Sequence, residues 1–218
     1  ASAEDPADWS VYLGDRASSQ YSELEQITPA NVDRLQLAWQ WQGGEDDPEG
    51  LSQIQCNPLV IDGVLYGTDA QLDLIALDAA TGKLLWRLDP YEGLDTDEGR
   101  GVNRGLAYWE DGDERRILFG VSRFLLAVDP ATGKRISSFG DDGRIDLKAN
   151  LGRNVEGLQV HANTPGVVFE NLIIMGMRVG EGPAPSAPGP IRAFDVRTGE
   201  LAWVFNTIPR PGEVGYET

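Results

Sequence analysis

The sequence predicts an all-β protein, a β-propeller built from repeated four-stranded antiparallel sheets. Three observations support this fold class. A short motif occurs three times along the 218 residues, and each copy follows two apolar runs that flank a tight turn. An aromatic residue also returns near a fixed place after the motif, as expected when similar units stack on one another.

The repeated motif has the form Ala-x-Asp-x-x-Thr-Gly-[Lys/Glu]-x-x-[Trp/Ser]. Its copies are "ALDAATGKLLW" at 76–86, "AVDPATGKRIS" at 127–137 and "AFDVRTGELAW" at 193–203. A phosphate-binding loop needs an earlier glycine and a following Ser or Thr, and no copy has either. The Thr-Gly pair is therefore predicted to be a hairpin turn. In each unit Ala-x-Asp ends the third strand, and the fourth strand carries the tryptophan.

A pair of apolar strands is predicted before each copy. The pairs are "PLVIDGVLYG" at 58–67, "LAYWEDGDERRILFGV" at 106–121 and "PGVVFENLIIMG" at 165–176. Their centres contain Gly or Asn, which tolerate the positive φ that two-residue hairpins need. Each repeat is therefore predicted to be a meander of four short strands.

The repeats divide the chain into an N-terminal region and three blades. The N-terminal region is predicted to contain strands and a short helix, and the last blade carries a Pro- and Gly-rich insert. The four parts are 1–52, 53–104, 105–162 and 163–218. Each tryptophan is expected to pack across a blade boundary onto the small Ala and Gly of a neighbouring copy. In the second copy Ser137 replaces the tryptophan and Phe139 follows, so we expect a weaker contact there.

Composition and charge exclude several classes of function. The chain has 18 Lys and Arg against 35 Asp and Glu, and its net charge of −17 argues against nucleic acid as a partner. It has no run of about 18 apolar residues that would predict a membrane-spanning helix. The single cysteine, Cys56, excludes an internal disulfide, and its apolar surroundings predict packing. The opening "ASA" fits a signal-peptidase site or a cloning boundary, and we expect a periplasmic protein.

Several stretches together resemble one family. The motif "AxDxxTGxxxW" resembles the tryptophan-docking repeat of dehydrogenases that depend on pyrroloquinoline quinone (PQQ), the quinoprotein alcohol and glucose dehydrogenases. Three further stretches also resemble sequences of this family: "IQCNPLVIDGVLYG" at 54–67, "GVNRGLAYW" at 101–109 and the closing segment 191–218. The closing segment favours the glucose dehydrogenase-like branch. So do Glu98 and Gly99, because the alcohol dehydrogenases of the family carry adjacent cysteines there.

The resemblance implies an eight-bladed propeller with PQQ and Ca²⁺ near its axis. It also implies oxidation of a sugar or alcohol hydroxyl, with a quinone or cytochrome as electron acceptor. Three repeats make about half of such a ring, so we expect an N-terminal portion of the enzyme. We expect it to be inactive alone, because the family's catalytic Asp comes later in the chain. Exposed blade edges suggest self-association, and a non-catalytic propeller scaffold is the alternative function.

Four residues match family positions that contact the carboxylates or rings of PQQ. Arg104 matches an arginine beside the carboxylate-bearing rings, where a guanidinium forms charge-assisted bonds. Gln55 stands where many relatives place a Glu, and it offers both an acceptor and donors. Asn163 and Thr164 replace the family's Thr-Ser before a proline. The only histidine, His161, is expected to have a structural role or to support residues that contact the cofactor.

The segment after the third predicted strand pair matches the family's quinone-stacking and calcium-binding positions. Arg178, Val179 and Gly180 align with a short segment that packs against the quinone plane, although the first two are bulkier than the family's small residues. Glu181 aligns with a calcium ligand. A hard cation such as Ca²⁺ prefers carboxylate oxygen, so the residue type suits that role.

Overall fold

The computed structural model describes residues 8–43, 53–93, 101–183 and 185–217. Within these ranges it contains one turn of 3₁₀ helix, Val32–Arg34, and short strands. In chain order the strands are β1 (Leu59–Ile61), β2 (Val64–Thr68), β3 (Leu74–Asp78), β4 (Leu84–Leu88), β5 (Ala107–Asp111), β6 (Glu114–Val121), β7 (Phe124–Val128), β8 (Arg144–Asp146), β9 (Val160–His161), β10 (Val167–Phe169), β11 (Leu172–Met175), β12 (Arg178–Val179), β13 (Ile191–Asp195) and β14 (Leu201–Phe205). No helix in the described ranges is long and apolar enough to cross a membrane.

The strands form three four-stranded antiparallel sheets. The first sheet has the order β1-β2-β3-β4, the second β5-β6-β7-β8 and the third β10-β11-β13-β14. The short strands β9 and β12 pair with each other outside these sheets. Because β12 lies between β11 and β13 in the chain, the insert leaves the third sheet after its second strand and then returns. The predicted architecture of repeated four-stranded blades is confirmed.

The first Thr-Gly motif forms the turn between β3 and β4. The carboxylate of Asp78 accepts hydrogen bonds from the backbone N–H of Thr81 at 2.8 Å and from its hydroxyl at 2.7 Å. These bonds lower the pKa of the Asp78 carboxyl, and the hydroxyl has the largest effect. Gly82 has a φ of +70° and donates its N–H to the carbonyl of Asp78 at 2.8 Å. The hairpin-turn prediction is confirmed.

Tryptophan side chains dock on these turns across sheet boundaries. Trp86 in β4 donates its Nε1–H to the carbonyl of Pro130 at 2.9 Å and lies against Gly133. A Cβ at Gly133 would stand 2.6 Å from the indole carbons. Trp39 docks in the same way on the first copy, where a Cβ at Gly82 would stand 2.4 Å from its ring. The predicted packing of the repeated tryptophan on a Thr-Gly glycine is confirmed for Trp86, and Trp39, which lies outside the repeats, makes the same contact.

The second copy departs from the predicted meander. Residues 134–143, which follow its Thr-Gly turn, form no strand. Within them Arg135 makes an isolated bridge with Val128. The fourth strand, β8, forms after a further turn and pairs with β7. Ser137 is exposed, whereas Phe139 is fully buried and fills the core instead. The prediction of a strand directly after the turn is therefore wrong for this copy, because burial of Phe139 turns the chain inwards.

A pair of glycines replaces the tryptophan between the second and third sheets. Gly140 donates its N–H to the carbonyl of Thr198 at 2.8 Å. A Cβ at Gly199 would stand 2.9 Å from the Gly140 nitrogen, so the two backbones are in close contact. Trp109 in β5 adds a second contact by donating its Nε1–H to the carbonyl of Glu170 at 3.0 Å. The expectation of a weaker contact at this boundary stays a prediction.

Two hydrophobic cores lie between neighbouring sheets. One core contains Leu74 of the first sheet and Ile117 of the second. The other contains Leu118 of the second sheet and Ile173 of the third. Since consecutive residues of a strand point to opposite faces, β6 contributes Ile117 to one core and Leu118 to the other. The second sheet is thus buried on both faces, as in the middle blade of a stack.

The N-terminal region is less regular than predicted. In the described residues 8–43 its regular structure consists of the 3₁₀ turn and a bridge between Trp9 and Val60. Residues 15–30 are all exposed, and none of them lies in a strand or a bridge. The prediction of N-terminal strands is not met in this part, although the short helix is present. Residues 1–7 and 44–52 lie outside the described ranges.

Replacing Gly133 by alanine tests the space that the indole needs. Gly112 in the β5–β6 turn has a φ of +60° with nothing near its Cβ direction, so Gly112→Ala should cost only backbone strain, about 1–2 kcal/mol. Gly133→Ala, at a φ of +71°, adds a clash with Trp86. We expect a further loss of about 1–3 kcal/mol in the free energy of unfolding, measured with urea. Equal losses for the two variants would contradict the docking role.

The two tryptophans at equivalent places in the first and third copies give a second test. Trp86 is partly buried and hydrogen-bonded, whereas Trp203 is 40% exposed. We expect Trp86→Ala to lower the free energy of unfolding by about 3 kcal/mol. Trp203→Ala should lower it by less than about 1 kcal/mol in the monomer. A similar loss for both would show that docking does not distinguish the two positions.

Candidate functional site

The segments that lead into the first strands of the three sheets lie side by side. Arg104, which precedes β5, donates its backbone N–H to the carbonyl of Asn163 at 3.0 Å. Its own carbonyl accepts the backbone N–H of Asn57 at 3.1 Å. A parallel bridge between Asn57 and Gly105 extends the contact. One row of backbone bonds therefore joins all three blades at Arg104.

The side chain of Arg104 projects from this row into solvent. Its Nε donates to Oε1 of Gln55 at 3.3 Å, and Gln55 is held in turn by Gln53 at 2.7 Å. Arg104 forms no ion pair with a carboxylate in the described part of the chain. The structure thus brings together Arg104, Gln55 and Asn163, three of the predicted cofactor residues, and leaves a guanidinium free to meet an anion.

Two asparagines that the sequence analysis did not select fix this arginine. Asn103 is buried, with 1% of its surface exposed, and its side chain bonds the Gly120 carbonyl and the Gly105 N–H at 2.9 Å each. The Asn57 amide donates to the Arg104 carbonyl at 3.2 Å. Both residues stand inside the motifs that carried the family resemblance. The sequence feature that could have identified them is an amide side chain directly before an apolar strand.

The remaining PQQ candidates lie on the β9–β12 pair and the loop after β9. Arg178 pairs with His161 in this two-stranded sheet, and Val179 pairs with Val160. The side chain of Val179 packs against the core between the second and third sheets, whereas Arg178 is exposed. Thr164 is exposed and lines a cavity of about 360 Å³ beside the N-terminal region. The structure does not place these residues in contact with Arg104.

The calcium prediction rests on a single carboxylate. Glu181 follows Gly180 on the exposed part of the insert. Among the described residues, no group of three or more His, Cys, Asp or Glu side chains could hold a metal ion. Because Ca²⁺ takes about 6–8 oxygen ligands, these residues alone do not fit a calcium ion.

Cys56 has a structural environment. Its side chain packs against the core between the first and second sheets, and burial raises the pKa of its thiol. A raised pKa disfavours the reactive thiolate, which agrees with the predicted packing role. Glu98 and Gly99, which carried part of the branch prediction, lie outside the described residues.

The fold and the site together define a class of protein. It is a β-propeller in which tryptophans dock on Thr-Gly turns. An exposed arginine, Arg104, lies in the segments that lead into the first strands of the sheets. The donors around Arg104 fit a carboxylate-bearing cofactor such as PQQ, which is a tricarboxylate. The chain belongs to the family described as "PQQ: Glucose/ethanol/alcohol dehydrogenase, beta-propeller domain", which matches residues 9–218. The predicted family is confirmed.

Named relatives agree with this membership. The chain is 36% identical to the dehydrogenase subunit of a quinone alcohol dehydrogenase of Gluconobacter oxydans, with 94% of this chain and 25% of the relative covered. It is 30% identical to quinoprotein glucose dehydrogenase A of Acinetobacter calcoaceticus, with 92% and 28% covered. The chain thus spans about a quarter of the length of each relative. The higher identity to the alcohol dehydrogenase gives no support to the glucose branch.

A solved structure shows the same fold. A quinohemoprotein alcohol dehydrogenase of Pseudomonas putida HK5 superposes with a TM-score of 0.73 at 28% identity. The match covers 94% of this chain and 27% of that protein. The three sheets therefore correspond to one part of a larger quinoprotein dehydrogenase.

Proposed function

We propose that this chain contributes three blades and part of the cofactor site to a PQQ-dependent dehydrogenase that oxidises an alcohol or sugar hydroxyl. The observation that carries the proposal is the exposed guanidinium of Arg104. Its backbone is fixed by Asn57 and Asn163, and it pairs with no described carboxylate. Family membership supports PQQ as the group it meets.

Bound PQQ would supply the oxidised quinone that accepts the hydride from substrate. The residues of this chain would bind and orient that cofactor. Arg104 would pair with a carboxylate, and Gln55 would add a hydrogen bond from the same side. Asn163 holds the arginine backbone in register. Because these groups are joined by the blade contacts, little reorganisation would accompany binding.

The chain alone is proposed to bind PQQ without turnover. The candidate site contains groups for holding a carboxylate, but its residues include no assigned catalytic base. The relatives named above act on alcohols or on glucose, so both substrate classes belong in the proposal. A quinone or cytochrome is the proposed electron acceptor. A periplasmic location also stays a prediction, to be checked by fractionating cells that express the natural gene.

Replacing Arg104 tests the site directly. We expect Arg104→Gln to weaken PQQ binding by about tenfold or more, because it removes a charge-assisted hydrogen bond. Titration followed by quinone absorbance and by calorimetry measures the affinity. Arg34→Gln is the matched control, since Arg34 is exposed and, among the described residues, its side chain bonds the Ala30 backbone carbonyl alone.

The same titration separates the alternatives. Equal affinity in the Arg104→Gln and unchanged chains would contradict the assigned site. No binding of PQQ by the unchanged chain would favour the non-catalytic scaffold. A dye-reduction assay with glucose and with ethanol then tests turnover. Sustained reduction by the chain alone would overturn the assignment of a cofactor-holding role without catalysis.

We also propose that Glu181 supplies one calcium ligand, with the other ligands coming from bound PQQ and from outside the described residues. If so, Ca²⁺ should strengthen PQQ binding by the unchanged chain, and Glu181→Gln should remove most of that effect. Calorimetry with and without Ca²⁺ measures the difference. Glu156→Gln serves as the control, since Glu156 is also an exposed loop carboxylate. Calcium dependence that persists in Glu181→Gln would contradict the role.

The outer face of β14 is proposed as a self-association surface. All five residues of this strand are exposed, among them Trp203 and Phe205. Trp86, at the equivalent place, is covered by the next blade. Sedimentation velocity at moderate salt, which screens the net charge, would detect the association. A monomer at every concentration would exclude it.

A further inference from the structure

A cleft separate from the Arg104 site lies between the insert and the C-terminal turn. It has a volume of about 620 Å³ and is lined by residues 151–153, 186–190 and 206–208, together with Met177, Val179 and Arg210. This volume is within the usual range of small-molecule sites, about 300–1,000 Å³. Of the predicted cofactor residues, only Val179 borders it. The cleft therefore requires its own explanation.

The cleft is basic although the chain is strongly acidic. The whole chain has 35 Asp and Glu against 18 Lys and Arg. Among the described residues, no Asp or Glu lines the cleft, whereas two arginines do, Arg153 and Arg210. Neither guanidinium forms an ion pair with a carboxylate of the described residues. Two positive charges thus face one space with no counter-charge from its walls.

Arg210 is held in place by neutral groups. Its Nη2 donates to the carbonyl of Leu151 at 3.1 Å, and its guanidinium lies over Gly152, where a Cβ would stand 2.7 Å from Nη1. The nearest acid in the sequence, Glu213, accepts the side-chain amide of Asn206 and the backbone N–H of Arg210, each at 2.7 Å. The Arg210 N–H and the Asn206 amide, with a smaller effect of the Arg210 charge, lower the pKa of the Glu213 carboxyl. That carboxylate closes the turn, and within the described residues it makes no ion-pair contact with the guanidinium.

Arg153 approaches the cleft from the adjoining loop. Its Nη2 donates to the carbonyl of Ser186 in the insert, so a backbone acceptor fixes this guanidinium as well. Apolar side chains, among them Ala187 and Ile208, line the cleft beside the two arginines. A site with fixed donors loses little side-chain entropy when it binds. Planar guanidinium groups match the geometry of a carboxylate.

We propose that this cleft binds a small organic carboxylate. The acid group would pair with Arg153 and Arg210, and its carbon chain would lie against Val179, Ala187 and Ile208. The proposal does not depend on PQQ binding at Arg104. Its ligand class follows from the absence of acidic lining residues and from the size of the cleft.

Succinate and its neutral diamide, succinamide, provide a matched pair of probes. We expect the 218-residue chain to bind succinate. Its affinity for succinamide should be lower by at least about tenfold, because only the acid forms charge-assisted bonds. The affinity for succinate should fall as salt rises, since screening weakens ionic contacts. Calorimetric titration measures both. Equal affinity for the two probes would overturn the proposal without any variant.

Single substitutions locate the binding. Arg153→Gln and Arg210→Gln should each weaken succinate binding by about tenfold. Arg34→Gln and Arg104→Gln should leave it unchanged, and circular dichroism should show that every variant is folded. Full affinity in both cleft variants would overturn the proposal. Loss of succinate binding only in Arg104→Gln would also overturn it, because the acid would then occupy the proposed cofactor site.

Discussion

The contact between an indole and a Thr-Gly turn is the constraint on which the rest of the structure depends. The turn needs a glycine for its positive φ, and the same glycine leaves the gap that the indole of the preceding unit fills. Trp39 meets Gly82 in this way, and Trp86 meets Gly133. Each indole also donates to a backbone carbonyl of the turn, so position and orientation are both fixed. Repetition of one local motif thus sets the spacing of successive sheets.

The boundary between the second and third sheets lacks this contact. Gly140 meets Gly199 backbone to backbone, which brings the second and third sheets close together. Trp109 and Arg197 then stack, with the guanidinium carbon 4.4 Å from the ring centroid. Arg197 also bonds Glu114 at 3.0 Å. Groups that lie elsewhere in the two blades thus join them where the tryptophan is missing.

The candidate site follows from the same stacking. When sheets stand face to face, the segments that enter their first strands become neighbours. Asn57, Arg104 and Asn163 come from three different blades, and their backbones bond in one row. No local sequence property of Arg104 could produce this row. The docking contacts far from the site are thus what present a single arginine at the meeting point of three blades.

The sequence predicted the features that depend on local chemistry. Short motifs, whose geometry is largely independent of the rest of the chain, predicted the turns at Asp78 and Asp195. They also predicted the strand pairs and the indole contacts. The sequence did not predict the detour at Phe139, because that depends on how much room the neighbouring blade leaves. Nor did it select Asn103, because the role of this residue depends on a buried hydrogen bond to the carbonyl of Gly120, 17 positions away in the chain.

An unpaired arginine is not by itself a sign of a binding site, and Arg192 shows why. Its guanidinium is buried, with 2% of the residue exposed, and burial lowers its pKa to about 10. It bonds the carbonyls of Leu147 and Ala149, at 2.6 and 2.9 Å, and so supports the loop beneath the insert. The backbones of both arginines are held by neighbouring segments, and Arg104 differs because its side chain is exposed. The proposed cofactor role of Arg104 therefore depends on solvent access to its guanidinium, which Arg192 lacks.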